Sequence, residues 1–319
     1  MKHLVINSFG LFLGLKSQRI VIYQNKEIIK EIALKSLKTI SINSNGITIS
    51  SDLIFACSVR GIKIFYQNFN TFSATHTLYE HKGVNVLKQQ FSSKDNAKGL
   101  ILAKELIIGK IKNQRSTILY FSRNKNNEQK NIALIAMQKA IDTLKSSKII
   151  DTNDIFSIEA NAAHRYFEFL KFNSLLPSSF EHRTKRASSE ISNQALNYGY
   201  AILLNIIYKS IINAGLNPYF GVLHTMRSAK PSLALDIMEE YRSFIVDRNI
   251  IKIRSSLKGE LNAELKKAIA SNILNSLNKK LIYNHKKLTL ESIIQRQVYK
   301  ISAFFVVIIG INHTYLGGK

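Results

Sequence analysis

The hydrophobic period changes once along this chain, and that change limits what it can fold into. From Met1 to about Thr77, apolar and β-branched residues recur close to every second position, the repeat of strands with one buried face. From about Val84 the repeat becomes 3.6, that of helices laying one stripe on a core. The chain therefore reads as α+β, with a small β-rich N-terminal domain (1–80) followed by a larger all-α C-terminal domain (81–319). A composition 45% hydrophobic over 319 residues is enough for a sizeable core and for two ordinary domains.

Within the first part, Leu4–Ile6, Gly10–Leu15, Ile20–Tyr23, Glu27–Ile32, Ile40–Ile42 and Gly46–Ser50 read as short strands. Gln24-Asn25-Lys26 is a hairpin turn candidate. Ser51-Asp52 can cap a helix over Leu53–Arg60, with Gly61 ending it and Ile62–Tyr66 returning to strand. Phe69–Gly83 is polar and reads as a linker. Helices are expected over Lys94–Asn113, Ile132–Lys145, Phe156–Leu170, Gln194–Ala214, Glu260–Leu281 and Leu288–Ile309, with a basic, Ser-rich loop at Pro177–Ser192.

Lys and Arg number 45 against 21 Asp and Glu, a net charge of +24. That excess points to a polyanion, nucleic acid before an anionic membrane, since no helix joins a strong apolar face to a wholly basic one. The single cysteine, Cys57, rules out an internal disulfide and a Cys-based zinc site and fits a reducing compartment. The longest apolar run, Ala303–Ile311, is too short to span a bilayer. The first twenty residues lack a small-residue cleavage site and read as strands, not as a signal peptide. A soluble, cytoplasmic protein is expected.

The chemistry concentrates after a Gly/Pro turn. A helix opening at Pro231–Ser232 carries Asp236, Glu239 and Glu240 within roughly a 100° arc. Ala234, Met238, Tyr241 and Ile245 fall opposite, so the acids are expected on the exposed face, with His224 just upstream. Carboxylates with one imidazole suit Mg²⁺ or Mn²⁺. Helical geometry alone leaves all three acids in contention. Glu159, near a helix start, has a plain explanation in the helix dipole.

Six ordered segments bear on that choice: GKIKNQR (Gly109–Arg115), EANAAHRYF (Glu159–Phe167), NQALNYGYAIL (Asn193–Leu203), AGLNPYFGVLHT (Ala214–Thr225), KPSLALDIMEEYR (Lys230–Arg242) and RQV (Arg296–Val298). In order and spacing, over about 190 residues, they resemble the CRISPR-associated integrase family, Cas1. The resemblance implies a metal site of Glu159, His224 and Glu239 binding Mg²⁺ or Mn²⁺, with Asp236 as a supporting acid. The chain departs from the family pattern at Met226, where Asp or Gly is frequent, and near Glu190, where the family often has Asp; neither touches the three ligands. The resemblance also implies insertion of spacer DNA into a CRISPR repeat by 3′-hydroxyl attack, a homodimer formed through the β-rich part, and two such dimers flanking a Cas2 dimer in a heterohexamer. Lys110, Arg115, His164, Arg165, Arg183, Arg186, Arg227, Lys230, Arg242 and Arg248 are the candidate contacts to double-stranded DNA. A metal-dependent structure-specific nuclease of DNA repair and a non-catalytic basic nucleic-acid-binding protein are the alternatives.

Overall fold

A computed structural model of the chain describes residues 2–67, 72–76, 81–123, 127–146, 151–184, 189–227 and 230–306. The chain divides into two units, Met1–Val84 and Asn85–Lys319.

The first unit runs β1 (Lys2–Ile6), β2 (Phe12–Lys16), β3 (Arg19–Gln24), β4 (Glu27–Ala33), β5 (Leu37–Ile42), β6 (Thr48–Ile49), α1 (Ser51–Val59), β7 (Lys63–Gln67) and β8 (Phe72–His76). Two sheets form, ordered β1-β5-β7-β8 and β4-β3-β2-β6. Two-residue turns make the β2–β3 and β3–β4 hairpins. Ser17-Gln18 and Asn25-Lys26 take positive φ at both positions, the geometry that matches the twist of the flanking strands. Ser50 caps α1 by accepting from the Leu53 amide. Leu13, Ile20, Ile40, Leu53 and Ile64 form the core. Cys57 is buried among them, and burial pushes its thiol up to about 11, which makes it inert. The linker expected over 69–83 is corrected in part: β8 pairs antiparallel with β7, and a helix begins at His81. A polar, Thr-rich stretch is compatible with an edge strand as well as a connection.

α2 (His81–Ser92) crosses the boundary between the units, and the second unit contains α3 (Ala97–Phe121), α4 (Glu128–Lys145), α5 (Thr152–Phe172), α6 (Ile191–Asn213), α7 (Ser232–Met238), α8 (Arg248–Lys252), α9 (Ala263–Asn278), β9 (Lys280–Tyr283), β10 (Lys286–Thr289) and α10 (Leu290–Val306). It is not purely α-helical. The helix expected over Glu260–Leu281 ends at Asn278, and the chain turns back at Asn284-His285, again with positive φ at both residues. α5 starts earlier than expected because Asp151 accepts from the amides of Asn153 and Asp154 at 2.8 and 2.9 Å. α3 is the central element, packed against α4, α5 and the 239–247 segment.

The acidic helix differs most from expectation. After α7 the winding tightens to 3₁₀ over Glu239–Tyr241, then opens to π over Arg242–Asp247 before α8. No acidic face is presented to solvent: Asp236, Glu239 and Glu240 are 0%, 5% and 0% exposed. α3 lies against this segment, and its Asn113 amide donates to the Glu240 carbonyl at 2.8 Å. The Glu240 carbonyl, where the winding changes, thus has a partner on a neighbouring helix.

Candidate active site

Four elements of the second unit supply the site. The turn between α6 and α7 brings in His224. Its backbone is folded around the Asp236 carboxylate, which accepts the amides of Val222 (2.7 Å), Leu223 (3.0 Å) and His224 (2.9 Å). Gly221 permits this wrapping, because a Cβ there would stand 2.5 Å from Asp236 Oδ2 and 2.8 Å from Ser232. His224 Nδ1 lies 2.7 Å from Asp236 Oδ1. Both Asp236 oxygens are already acceptors, so Nδ1 must carry the proton and donate it, and in the neutral ring this leaves the Nε2 lone pair available. Phe156 meets the imidazole edge-on at 5.9 Å between ring centres.

Glu159 comes from α5, Glu239 from the 3₁₀ turn after α7, and Lys110 from the middle of α3. The Lys110 ammonium sits between the two acids, in a short ion pair with Glu159 Oε1 and 2.7 Å from Glu239 Oε2. The second contact is charge-assisted as well, and it reaches a buried carboxylate oxygen. Arg242 Nη2 holds the other Glu239 oxygen at 3.0 Å. Burial alone would raise the Glu239 pKa, but Arg242 and Lys110 outweigh it and bring the carboxyl down to about 2. Burial likewise opposes the charge on Lys110, yet Glu239 and Glu159 hold its pKa above the ordinary lysine value.

Glu159, His224, Glu239, Lys110 and Arg242 line one cavity of about 430 Å³. A second polar group borders it. Asp247 is buried and accepts the hydroxyls of Tyr200 (2.6 Å) and Tyr166 (3.0 Å). Burial raises its pKa to about 6 against those hydrogen bonds. Arg242 and Arg183 lie over the Tyr200 ring, 4.8 and 5.3 Å from its centre. This group escaped sequence reasoning. Its only trace there is that Tyr166 and Tyr200 fall within the segments EANAAHRYF and NQALNYGYAIL.

The donor set of two carboxylates and an imidazole nitrogen fits a hard or borderline divalent cation. As the side chains stand, no three acid, His or Cys donors among the described residues are close enough to hold an ion. The ammonium of Lys110 occupies the space between the acids, and Asp236 draws the imidazole toward itself.

The cations proposed for DNA divide into groups. Lys110 and Arg242 belong to the acid cluster. Arg248 is held within the fold by Ser116 Oγ (2.7 Å) and Thr117 Oγ1 (3.0 Å) and lies over Phe244. Arg183 bonds Asn193 (2.9 Å) and Asn197 (2.6 Å) at the cavity edge. Arg165 and His164 pair with Glu168 on α5, and Arg115 bonds Gln138. Arg227 is exposed and Lys230 half-buried, both in the α6–α7 connection, while Arg186 lies outside the described residues.

Fold and cavity together define an α+β protein of two units whose helical unit gathers Glu159, Glu239, His224, Lys110 and Arg242, among other charged side chains, around one cavity. The chain belongs to the Cas1 family: the profile of CRISPR associated protein Cas1 matches residues 4–285. It is 42% identical over 313 residues to CRISPR-associated endonuclease Cas1 1 of Francisella tularensis subsp. novicida (strain U112), covering 96% of each chain. Solved structures with the same fold include a casposase bound to integration product (TM-score 0.71, 21% identity, 99% of this chain and 94% of that one). A partial Cas6-RT-Cas1–Cas2 complex (0.72, 21%, 95% of each) and a Cas1 protein from Thermotoga maritima (0.68, 20%, 96% and 97%) share it too.

Proposed function

We propose that this protein is a divalent-metal-dependent DNA endonuclease and integrase of CRISPR adaptation, an antiviral defence, and that it acts in the cytoplasm. Glu159, His224 and Glu239 are the metal ligands, with Mg²⁺ or Mn²⁺ as the ion. The observation that carries this reading is their convergence on one cavity from three separate elements. When bound, the ion supplies Lewis-acid polarisation of a phosphoryl oxygen and stabilises the leaving oxygen. The chain's own residues prepare the rest. Asp236 presents the imidazole with Nε2 free. Arg242 and Lys110 keep Glu239 ionised. In strand transfer the 3′-hydroxyl of an incoming fragment attacks a phosphodiester of the repeat. One P–O bond forms, one breaks, and the proton lost by the attacking hydroxyl is matched by one gained at the displaced 3′-oxygen. No side-chain nucleophile is needed.

A net charge of +24 supplies the sequence-independent grip on double-stranded DNA. Its partners on this reading are a second copy, joined through the β-rich unit, and a Cas2 dimer flanked by two such dimers. A Cas1–Cas2 assembly among the structures of this fold supports that choice. No helix among the described residues is long and apolar enough to cross a membrane.

The test is joining of a labelled fragment bearing a 3′-hydroxyl to a repeat-bearing plasmid with Mg²⁺ or Mn²⁺. Joined product is expected, and His224→Ala should abolish it while leaving DNA binding intact. Hydrolysis without joining would point to the repair-nuclease reading. Unchanged processing by His224→Ala would leave only a binding protein.

A further inference from the structure

Lys110 is unusual among the cations of this chain. Its side chain is only 10% exposed, and it sits at the midpoint of a 25-residue helix, between the two acids of the cavity. The oxygens it neutralises, Glu159 Oε1 and Glu239 Oε2, are the ones a metal ion in this cavity would need. An ammonium and a divalent cation cannot share that space, because their repulsion at contact distance is large in a medium less polar than water. Lys110 thus holds both acids at once, by contacts that an incoming cation has to break.

A second observation shows where the ammonium can go. Gln114 lies one turn further along α3, on the same face, and lines the same cavity. Its Oε1 is buried and accepts no hydrogen bond. An unused buried acceptor carries a penalty that a donor arriving from Lys110 would remove.

We propose that metal binding here is a cation exchange, in which the incoming ion displaces the Lys110 ammonium from Glu159 and Glu239 and Lys110 moves to Gln114 Oε1. This rests on the metal-site reading above. In the metal-free protein Lys110 keeps the two acids from repelling each other and so keeps the cavity formed. After exchange it remains on the cavity wall, a positive charge available to a phosphate. Lys110 is therefore a positioning residue for the site, acting as its resident counter-ion.

Calorimetric titration of the full chain with Mn²⁺ alone, at one pH and salt concentration, tests the exchange. Lys110→Met should bind Mn²⁺ at least about tenfold more tightly than the unaltered protein, since a unit charge a few ångströms away is removed. Lys110→Met should also melt lower without metal and gain more from Mn²⁺. A purely structural lysine would give weaker binding on removal. Gln114→Leu keeps the lysine but removes its second station, and should weaken Mn²⁺ binding several-fold. If Lys110→Met does not fold, Gln114→Leu decides the matter, and unchanged affinity overturns the proposal. Glu239→Gln separates the two ideas. If it binds Mn²⁺ as the unaltered protein does, the metal-site reading falls and the exchange with it. If it loses Mn²⁺ while Lys110→Met binds no more tightly than the parent, the exchange alone is overturned.

Discussion

Replacing Asp236 by Asn tests how His224 is held. The carboxylate accepts three backbone amides and the imidazole Nδ1, at 2.7 to 3.0 Å. Asn keeps one acceptor oxygen and turns the other position into a donor. If the amide nitrogen takes the Oδ2 position, it faces the amides of Val222 and Leu223. If it takes the Oδ1 position, it faces the His224 amide and Nδ1. Either way about half of the bonds are lost and a buried donor meets donors. Hydrogen bonds to a charged group are worth about 1.5–3 kcal/mol each. Two lost bonds amount to ~3–6 kcal/mol, reduced because an amide is cheaper to bury than a carboxylate. A net loss of ~3 kcal/mol is large beside the ~5–15 kcal/mol of a typical domain. The Oδ1 arrangement also forces the imidazole to accept at Nδ1 and protonate Nε2, removing the lone pair the metal needs. Loss of such an orienting partner typically lowers metal affinity by about 10–100-fold. Urea unfolding followed by helical circular dichroism measures the first effect, and Mn²⁺ calorimetry the second. If Asp236→Asn unfolds at the parent's urea midpoint and binds Mn²⁺ equally well, the account of the 221–224 turn is wrong.

Gly221→Ala should act on the same turn from the other side. Its Cβ would stand 2.5 Å from Asp236 Oδ2, so a loss of ~1–3 kcal/mol and weaker Mn²⁺ binding are expected, and an unchanged melting temperature would contradict this. Asp247→Asn should change the pH dependence of stability. The carboxyl rises from 3.8 to about 6 in the fold, so its contribution favours folding below 3.8 and is lost as the pH rises through about 6. The stability of Asp247→Asn relative to the parent should therefore climb by up to ~3 kcal/mol across that window and then level off. Urea titrations along the window would show a flat difference if the group is not perturbed. Mn²⁺ and a short DNA duplex should tighten each other's binding by the same factor, as linkage requires. Titrating each in the presence of the other would refute this by showing no coupling.

The change of period made the two-part architecture legible, and the turn at Asn25-Lys26 was visible because two left-handed positions leave a polar signature. The hairpin at Asn284-His285 carries a similar signature, but it fell in the connection between the helices expected over Glu260–Leu281 and Leu288–Ile309, whose lysines and leucines hid the outer ends of its two strands. The burial of Asp236, Glu239 and Glu240 could not be read from a helical wheel. A wheel assumes constant winding and cannot know that α3 packs on the acidic side. The helix expected over Lys94–Asn113 placed Lys110 close to a helix end. α3 in fact continues to Phe121, which leaves Lys110 mid-helix and enclosed. Glu159 was a candidate only through resemblance, because its meeting, across Lys110, with an acid from an element distant in sequence leaves no local signal.

Charge balance explains why the cavity is built from paired ions. Glu159 and Glu239 carry two negative charges, and Lys110 and Arg242 two positive ones, all close together in a partly enclosed space. These four ions balance one another, which is the condition under which buried carboxylates stay ionised without a large penalty. In the proposed metal site a divalent cation would add two positive charges to the four, offset in part by Asp236, Asp247, Glu168 and Glu181 around the same cavity, and Lys110 cannot leave the cavity altogether because its stem is fixed in the middle of α3. On the proposed function, each phosphate of a bound DNA backbone would bring one further negative charge to this cavity, so metal and DNA would help each other to bind. The net charge of +24 favours encounter with a polyanion of any sequence, and the cavity is where the proposed reaction would select among such encounters.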